Sequence, residues 1–291
     1  MSWRVIVISN CSKLDYKQDY MVVRKKTTTS KVHLSEISLL LIESTAVSLT
    51  TCLLCELTKR KVKIIFCDEK RNPCSELISY YGSHDTSAKI RKQIEWKKDI
   101  KDLVWTEIVT EKIRKQKEFL NTIEKKSSEQ LLQYIDQVET GDRTNREGHA
   151  AKVYFNSVFG MDFTRTSSSP INAALNYGYG IILSAFNREI AANGYLTQLG
   201  LFHDNMFNMF NLGSDLMEPF RVPIDKEVYS MKPEKLENEE KIQLVNVLNH
   251  EVIIDGQRNY INNAIKLYTK SVFDALNEND ISLIRFYRNE L

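Results

Sequence analysis

Surplus charge of either sign is what this 291-residue chain most lacks: 40 basic residues stand against 38 acidic ones, a formal net charge of +2. A nucleic-acid partner therefore gains no global electrostatic support, and any basic contact surface has to be local. Long apolar runs are missing too. The least polar stretch, Ile171 to Phe186, is too short to span a bilayer and carries asparagines, which argues against a membrane role. Cysteines are few and odd in number, at five. With no leader that joins a charged region to an apolar core, the expectation is a reduced, cytoplasmic protein. Internal repeats and low-complexity tails are also absent.

What is present divides by period. Short β-type runs come first: Trp3–Ile8, Leu14–Lys17, Tyr20–Arg24, Lys31–Leu34 and Ile37–Ile42, separated by turn-like pieces. Their spacing predicts an antiparallel sheet or small sandwich. A helix is expected over Ser48–Lys59 and a strand over Val62–Cys67, with the boundary near Gly82. From Thr86 to about Glu139 the spacing is helical and the charges alternate in sign, the pattern of a solvated face. Further helices are predicted over Glu147–Phe159, Pro170–Ala192, Lys235–Asn249 and Tyr260–Leu291, with a short hairpin around Val252–Gly256. Ser169 and Pro170 form a good helix entry, and the helix they open is apolar nearly all round, so it is expected to be the buried centre. The fold class is α+β: a small N-terminal β-sandwich-like domain over residues 1–82, then a larger all-α domain over 83–291.

The richest stretch chemically is Gly200–Arg221, GLFHDNMFNMFNLGSDLMEPFR. It carries His203, Asp215 and Glu218, the two acids three apart, amid Phe202, Met206, Phe207, Met209, Phe210, Leu212, Leu216, Met217 and Phe220. That apolar surround puts the acids at the rim of a core, where a carboxylate needs a partner such as a metal ion. His203 could equally be a hydrogen-bonded core residue, and Asp215 an acid in a first helical turn. Glu147 could supply a third ligand, although Thr144 and Glu147 also have the spacing of a capping box. If Glu147, His203 and Glu218 converge, two carboxylates and an imidazole suit Mn²⁺ or Mg²⁺ and phosphoryl transfer. Cys52 and Cys55 form a lone CxxC on a leucine-rich helix face and read as buried, inert thiols. The Gly178 and Gly180 pair follows no strand, so it reads as close helix packing and not as a phosphate loop.

Several ordered motifs together resemble the CRISPR-associated integrase, the universal first protein of spacer acquisition. They are REGHAAKVYFNSVFG, the text from Ser168 through NYGYG, LFHDN and SDLMEPFR, with LIESTAVSLTTCLLCEL and IIFCDEKRNP in the N-terminal half. The form is similar to that of type II-A systems, and the Arg71-Asn72 pair before Pro73 is a small departure. The resemblance covers essentially the whole chain. It implies a metal triad of Glu147, His203 and Glu218, with Asp215 supporting, and Mg²⁺ or Mn²⁺ as cofactor. It also implies homodimers bracketing a dimer of a small ferredoxin-fold partner in a heterohexamer bound to double-stranded DNA, with the type II effector nuclease and an accessory acquisition protein as further partners. The implied reaction joins the 3′-hydroxyl ends of spacer DNA to CRISPR repeat boundaries by transesterification. Candidate phosphate contacts are Arg24, Lys25, Lys26, Lys59, Arg60 and Arg146. The alternatives are a metal-dependent DNA nuclease and a helical DNA-binding scaffold without chemistry.

Overall fold

The computed structural model describes residues 4–69, 71, 73–77 and 83–289. The chain divides into two compact units at His84/Asp85; Gly82, where the sequence puts the boundary, lies outside the described residues.

The first unit contains β1 (Arg4–Ile8), β2 (Ser12–Lys17), β3 (Tyr20–Arg24), β4 (Thr29–His33), β5 (Ile37–Ile42), β6 (Val47–Leu49), helix α1 (Thr51–Lys59), β7 (Lys63–Cys67) and β8 (Pro73–Leu77). They form two four-stranded sheets, in the orders β1-β5-β7-β8 and β4-β3-β2-β6. The predicted all-antiparallel pairing is corrected: β1–β5, β5–β7 and β2–β6 are parallel. Alternation shows which face a residue takes but not the direction of its neighbour. The apolar run of β5 does carry a signal, because all six of its residues are buried, as expected of a strand covered on both faces. Leu53 and Leu57 of α1 join Leu14, Met21, Leu34, Ile37, Leu40 and Ile64 in the core of this unit. Cys52 and Cys55 lie on the opposite side of α1 and are exposed, which overturns their reading as buried thiols.

The second unit contains α2 (Thr86–Ile94), α3 (Lys98–Thr122), α4 (Ser128–Asp136), α5 (Arg146–Phe159), α6 (Pro170–Ala192), α7 (Asn211–Leu216), α8 (Val222–Met231), α9 (Asn238–Asn246), the strands β9 (Glu251–Ile254) and β10 (Gln257–Tyr260), and α10 (Ile261–Glu278). The hairpin expected around Val252–Gly256 is present as β9 and β10, a two-stranded sheet in an otherwise helical unit. α6 has the predicted limits. Ser169 accepts from the Asn172 amide at 3.2 Å, Pro170 occupies the first turn, and α7, α8, α9 and α10 pack around the helix. Gly178 meets α8 closely, since a Cβ there would stand 2.5 Å from Ile224; Gly180 has open space, so only one of the pair serves packing. The charged stretch of helical spacing from Thr86 to about Glu139 forms three helices, separated at Lys97, which is extended, and at Glu124, which is left-handed. The last helix stops at left-handed Asn279, well short of Leu291; beyond it Tyr287 is fully buried and Arg288 bridges to Ile253 of β9. Among the described residues no helix is long and apolar enough to cross a membrane.

Candidate active site

The site is built from α3, the start of α5, the loop before α7, and the 3-10 turn Glu218–Phe220. Asp142 determines how α5 begins. Its buried carboxylate accepts from the amides of Arg146, at 2.8 Å, and Glu147, at 3.0 Å. Asn145, left-handed, accepts from Gly148 at 3.3 Å. These acceptors satisfy the first amides of the helix. The predicted capping box is therefore corrected: Thr144 Oγ1 is buried without a hydrogen-bond partner, and the Glu147 side chain takes no capping role.

Glu147 instead points to Lys112 of α3, whose Nζ donates to its Oε1 and lies 2.5 Å from Glu218 Oε2. Arg221 Nε donates to the same Glu218 oxygen at 3.0 Å. Glu218 is buried, at 4% exposure. Burial alone would raise its pKa, but Arg221 and Lys112 outweigh that and hold it at about 2. The same carboxylates keep the Lys112 ammonium charged: burial disfavours the charge, and Glu218 and Glu147 more than offset it.

His203 sits on a loop held by one residue. Asp215, fully buried in α7, accepts from the backbone amides of Leu201 at 2.6 Å, Phe202 at 3.1 Å and His203 at 3.1 Å. It also meets His203 Nδ1 at 2.5 Å. The carboxylate can only accept, so Nδ1 carries the proton and Nε2 presents its lone pair. Asp215 is thus neither a solvated acid nor in a first helical turn. Gly200 is required here, because a Cβ would stand 2.2 Å from the His203 carbonyl and 2.8 Å from Asp215. The Asp215 hydrogen bond raises the His203 pKa, against partial desolvation. Trp105 of α3 stacks on Phe202, with centroids 4.6 Å apart, and meets the His203 ring edge-on at 5.8 Å.

The apolar residues of this stretch divide. Leu212, Leu216, Met217 and Phe220 are buried, whereas Phe202, Met209, Met206 and Phe207 are exposed, the last two at 87% and 84%. The apolar surround expected around the two acids therefore comes from only part of the segment. Hydrogen bonds hold the loop where apolar packing does not: Asn211 donates to the Gln198 and Asn205 carbonyls, and Thr197 to the Met209 carbonyl.

Behind the site, Asp225 of α8 accepts from Tyr154 at 2.9 Å and from Tyr179, and the Arg221 guanidinium lies 4.7 Å from the Tyr179 ring centre. Burial pushes the Asp225 carboxyl up to about 6 despite the two tyrosine hydroxyls. Tyr154 lies two turns after Glu147 on the same face of α5, so this network fixes the rotation that aims Glu147 at Lys112.

Lys112, Asp142, Asp225, Tyr154 and Tyr179 take no part in the sequence-derived site. Lys112 has no sequence signal, because it sits in the alternating charges of α3, which read as a solvated face. Among the described residues no three His, Cys, Asp or Glu side chains stand together as an ion-holding group, for Glu147 and Glu218 both close on Lys112. The donor chemistry nevertheless fits a hard divalent cation: two carboxylates already share a cationic group, and an oriented imidazole offers Nε2. Of the candidate phosphate contacts, Arg24 pairs with Asp15, Lys59 with Glu56, and Arg60 with Asp19 and Glu56. Lys25 and Lys26 are exposed. Arg146 lies over the Tyr134 ring, its Nε buried without a hydrogen-bond partner.

Comparison with known proteins places the chain. The family described as CRISPR associated protein Cas1 matches residues 5–243. A CRISPR-associated endonuclease Cas1 from Neisseria meningitidis serogroup C (strain 8013) is 30% identical over 263 residues, covering 88% of this chain and 86% of that protein. One from Francisella tularensis subsp. novicida (strain U112) is 26% identical over 270 residues, 85% of each. Among solved structures, a casposase bound to integration product superposes with TM-score 0.78 at 18% identity, over 96% of this chain and 93% of that one. A Cas6-RT-Cas1–Cas2 complex matches with TM-score 0.75 at 14% identity, over 97% of this chain and 36% of that one. The family match spans most of both units, and the chain is a member of the CRISPR associated protein Cas1 family.

Proposed function

We propose that this chain is a DNA integrase of CRISPR adaptation, joining the 3′-hydroxyl ends of spacer DNA to repeat boundaries by transesterification. The observation that carries the reading, in a member of this family, is that Glu147 and Glu218 share the Lys112 ammonium, while an imidazole whose Nδ1 is fixed by Asp215 lies within electrostatic reach of Glu218. Glu147, Glu218 and His203 Nε2 would hold Mg²⁺ or Mn²⁺, which supplies charge stabilisation at the phosphate and a more acidic 3′-hydroxyl. Asp215 keeps the imidazole in the binding tautomer, and Arg221 keeps Glu218 ionised inside the core. No covalent enzyme intermediate is needed, because the attacking hydroxyl belongs to DNA.

The partners proposed are those of the family resemblance: a second copy of this chain, and a dimer of the small ferredoxin-fold protein. A solved structure with this fold is a complex with Cas2, which supports that partner. DNA would meet Arg24, Lys25, Lys26, Lys59, Arg60 and Arg146. Arg146 is adjacent to Glu147 and is the candidate whose Nε lacks a hydrogen-bond partner.

A strand-transfer assay with a 3′-hydroxyl spacer and a repeat-bearing plasmid tests this. Joined product should form, disappear on chelation, and fall by at least a hundredfold in folded Glu218→Gln. Unchanged joining in that variant sinks the assignment. Hydrolysis is the second reading, favoured by the relatives' description as endonucleases. Water then replaces the 3′-hydroxyl at the same residues, and the plasmid would be nicked without joined product.

A further inference from the structure

The mechanism leaves one charged group at the site without a role. Lys112 is buried on α3 with a 7% exposed side chain, and its Nζ is shared between Glu147 and Glu218. We propose that Lys112 is an internal counter-ion, holding the two candidate ligand carboxylates together until a divalent cation displaces its ammonium group from between them. The inference rests on the metal-dependent reading above.

Three observations favour displacement over a permanent structural pair. Glu218 does not depend on Lys112, since Arg221 Nε keeps its own hydrogen bond to Oε2 at 3.0 Å when the ammonium leaves. Glu147 is the accessible side of the cluster, with 28% of its side chain exposed against 5% for Glu218, so an incoming ion reaches the shared position from there. The cation is also a lysine and not an arginine. A compact charge on a flexible stem gives up one position for another more readily than a planar guanidinium held by a fork of hydrogen bonds.

Charge counting gives the consequence. Glu147 and Glu218 carry two negative charges, and Lys112 and Arg221 two positive ones, so the cluster as it stands is neutral. A divalent ion raises this to two excess positive charges, one of them the freed ammonium. Both charges favour a phosphodiester, and the freed ammonium is a donor for one of its non-bridging oxygens. The ion and the DNA would therefore bind with positive coupling. In the absence of both, Lys112 keeps the half-buried Glu147 and the buried Glu218 from repelling each other.

The test is Mn²⁺ binding by titration calorimetry to the full-length protein without DNA, together with the melting temperature with and without Mn²⁺. Lys112→Gln should bind Mn²⁺ at least tenfold tighter than wild type. It should melt lower than wild type without the ion and show the larger rise with it. Lys112→Arg keeps the charge and adds a fork that grips both carboxylates, so it should fold normally and bind Mn²⁺ at least tenfold more weakly. Equal affinities in the three proteins, or weaker binding by a folded Lys112→Gln, overturn the proposal. If Lys112→Gln does not fold, Lys112→Arg decides alone, and an unchanged affinity overturns it. Mn²⁺ binding that is lost in Glu147→Gln but indifferent to residue 112 defeats this inference alone. Binding absent from wild type, or undiminished in Glu147→Gln, defeats the metal reading with it.

Discussion

Asp215 performs at least two jobs with one carboxylate: it collects three consecutive backbone amides and orients the His203 ring. An asparagine there keeps the shape but loses the charge, and its amide nitrogen cannot accept. Asp215→Asn should weaken Mn²⁺ binding by roughly ten- to a hundredfold, the usual cost of losing a ligand's orienting partner. A normal affinity in that variant would show that the loop, and not the carboxylate, positions the imidazole. The pH dependence follows from the same contact. Asp215 raises the His203 pKa above 6.5, so the stability from this pair is complete below pH 6.5 and is lost as pH rises through the folded value. The proposed metal binding runs the other way, because Nε2 must be deprotonated to serve as a ligand. Mn²⁺ affinity should therefore fall as pH drops through a midpoint above 6.5, and His203→Gln should lose that step.

Elements show most clearly what a sequence exposes. α6 keeps its predicted limits because its signals are local: a serine cap, a proline at the first turn and an Asn-Gly stop. α5 is one residue from its prediction, yet its first amides are capped by different residues, the left-handed N-cap Asn145 and Asp142. Spacing alone cannot separate a threonine that could cap from an aspartate that does. Asp142→Ala should cost about 1–2 kcal/mol for the lost cap and let the first turn of α5 fray. Chemical denaturation gives the stability change, and amide exchange at Arg146 and Glu147 shows whether the loss is at that turn. Legibility fails in another way on α3. Glu111, Lys112 and Lys115 are buried there, because ion pairs with Arg114, Glu147, Glu218 and Glu118 satisfy them. Glu111 and Lys115 pair within α3, but the partners of Lys112, Glu147 and Glu218, arrive from other elements, which a one-dimensional pattern cannot reveal. His203, Asp215 and Glu218 were legible as a group because two acids and a histidine share one short segment; Lys112, the group that holds Glu147 beside Glu218, was not.

At the scale of the whole molecule, two buried carboxylates push stability in opposite directions with pH. Glu218 is held at about 2 against a usual 4.5. Its contribution is present above pH 4.5 and is lost as pH falls toward 2, a change of about 3 kcal/mol. Asp225 is pushed up to about 6 from 3.8. The folded chain then binds the extra proton between those values, so stability declines as pH rises through that window, again by about 3 kcal/mol. The two windows meet near pH 4, where Glu218 has gained most of its charge and Asp225 still keeps its proton. Asp225→Asn preserves an acceptor for one tyrosine hydroxyl and removes the titration. Urea unfolding of the metal-free protein, followed by the helical signal, should show wild type losing stability from pH 4 to pH 7 relative to Asp225→Asn, by up to about 3 kcal/mol. A difference between the two proteins that stays constant over that range would mean that Asp225 is ionised throughout. The Tyr154 and Tyr179 hydroxyls would then be compensating its burial in full, and the network behind Glu147 would be anionic at every pH the site works in.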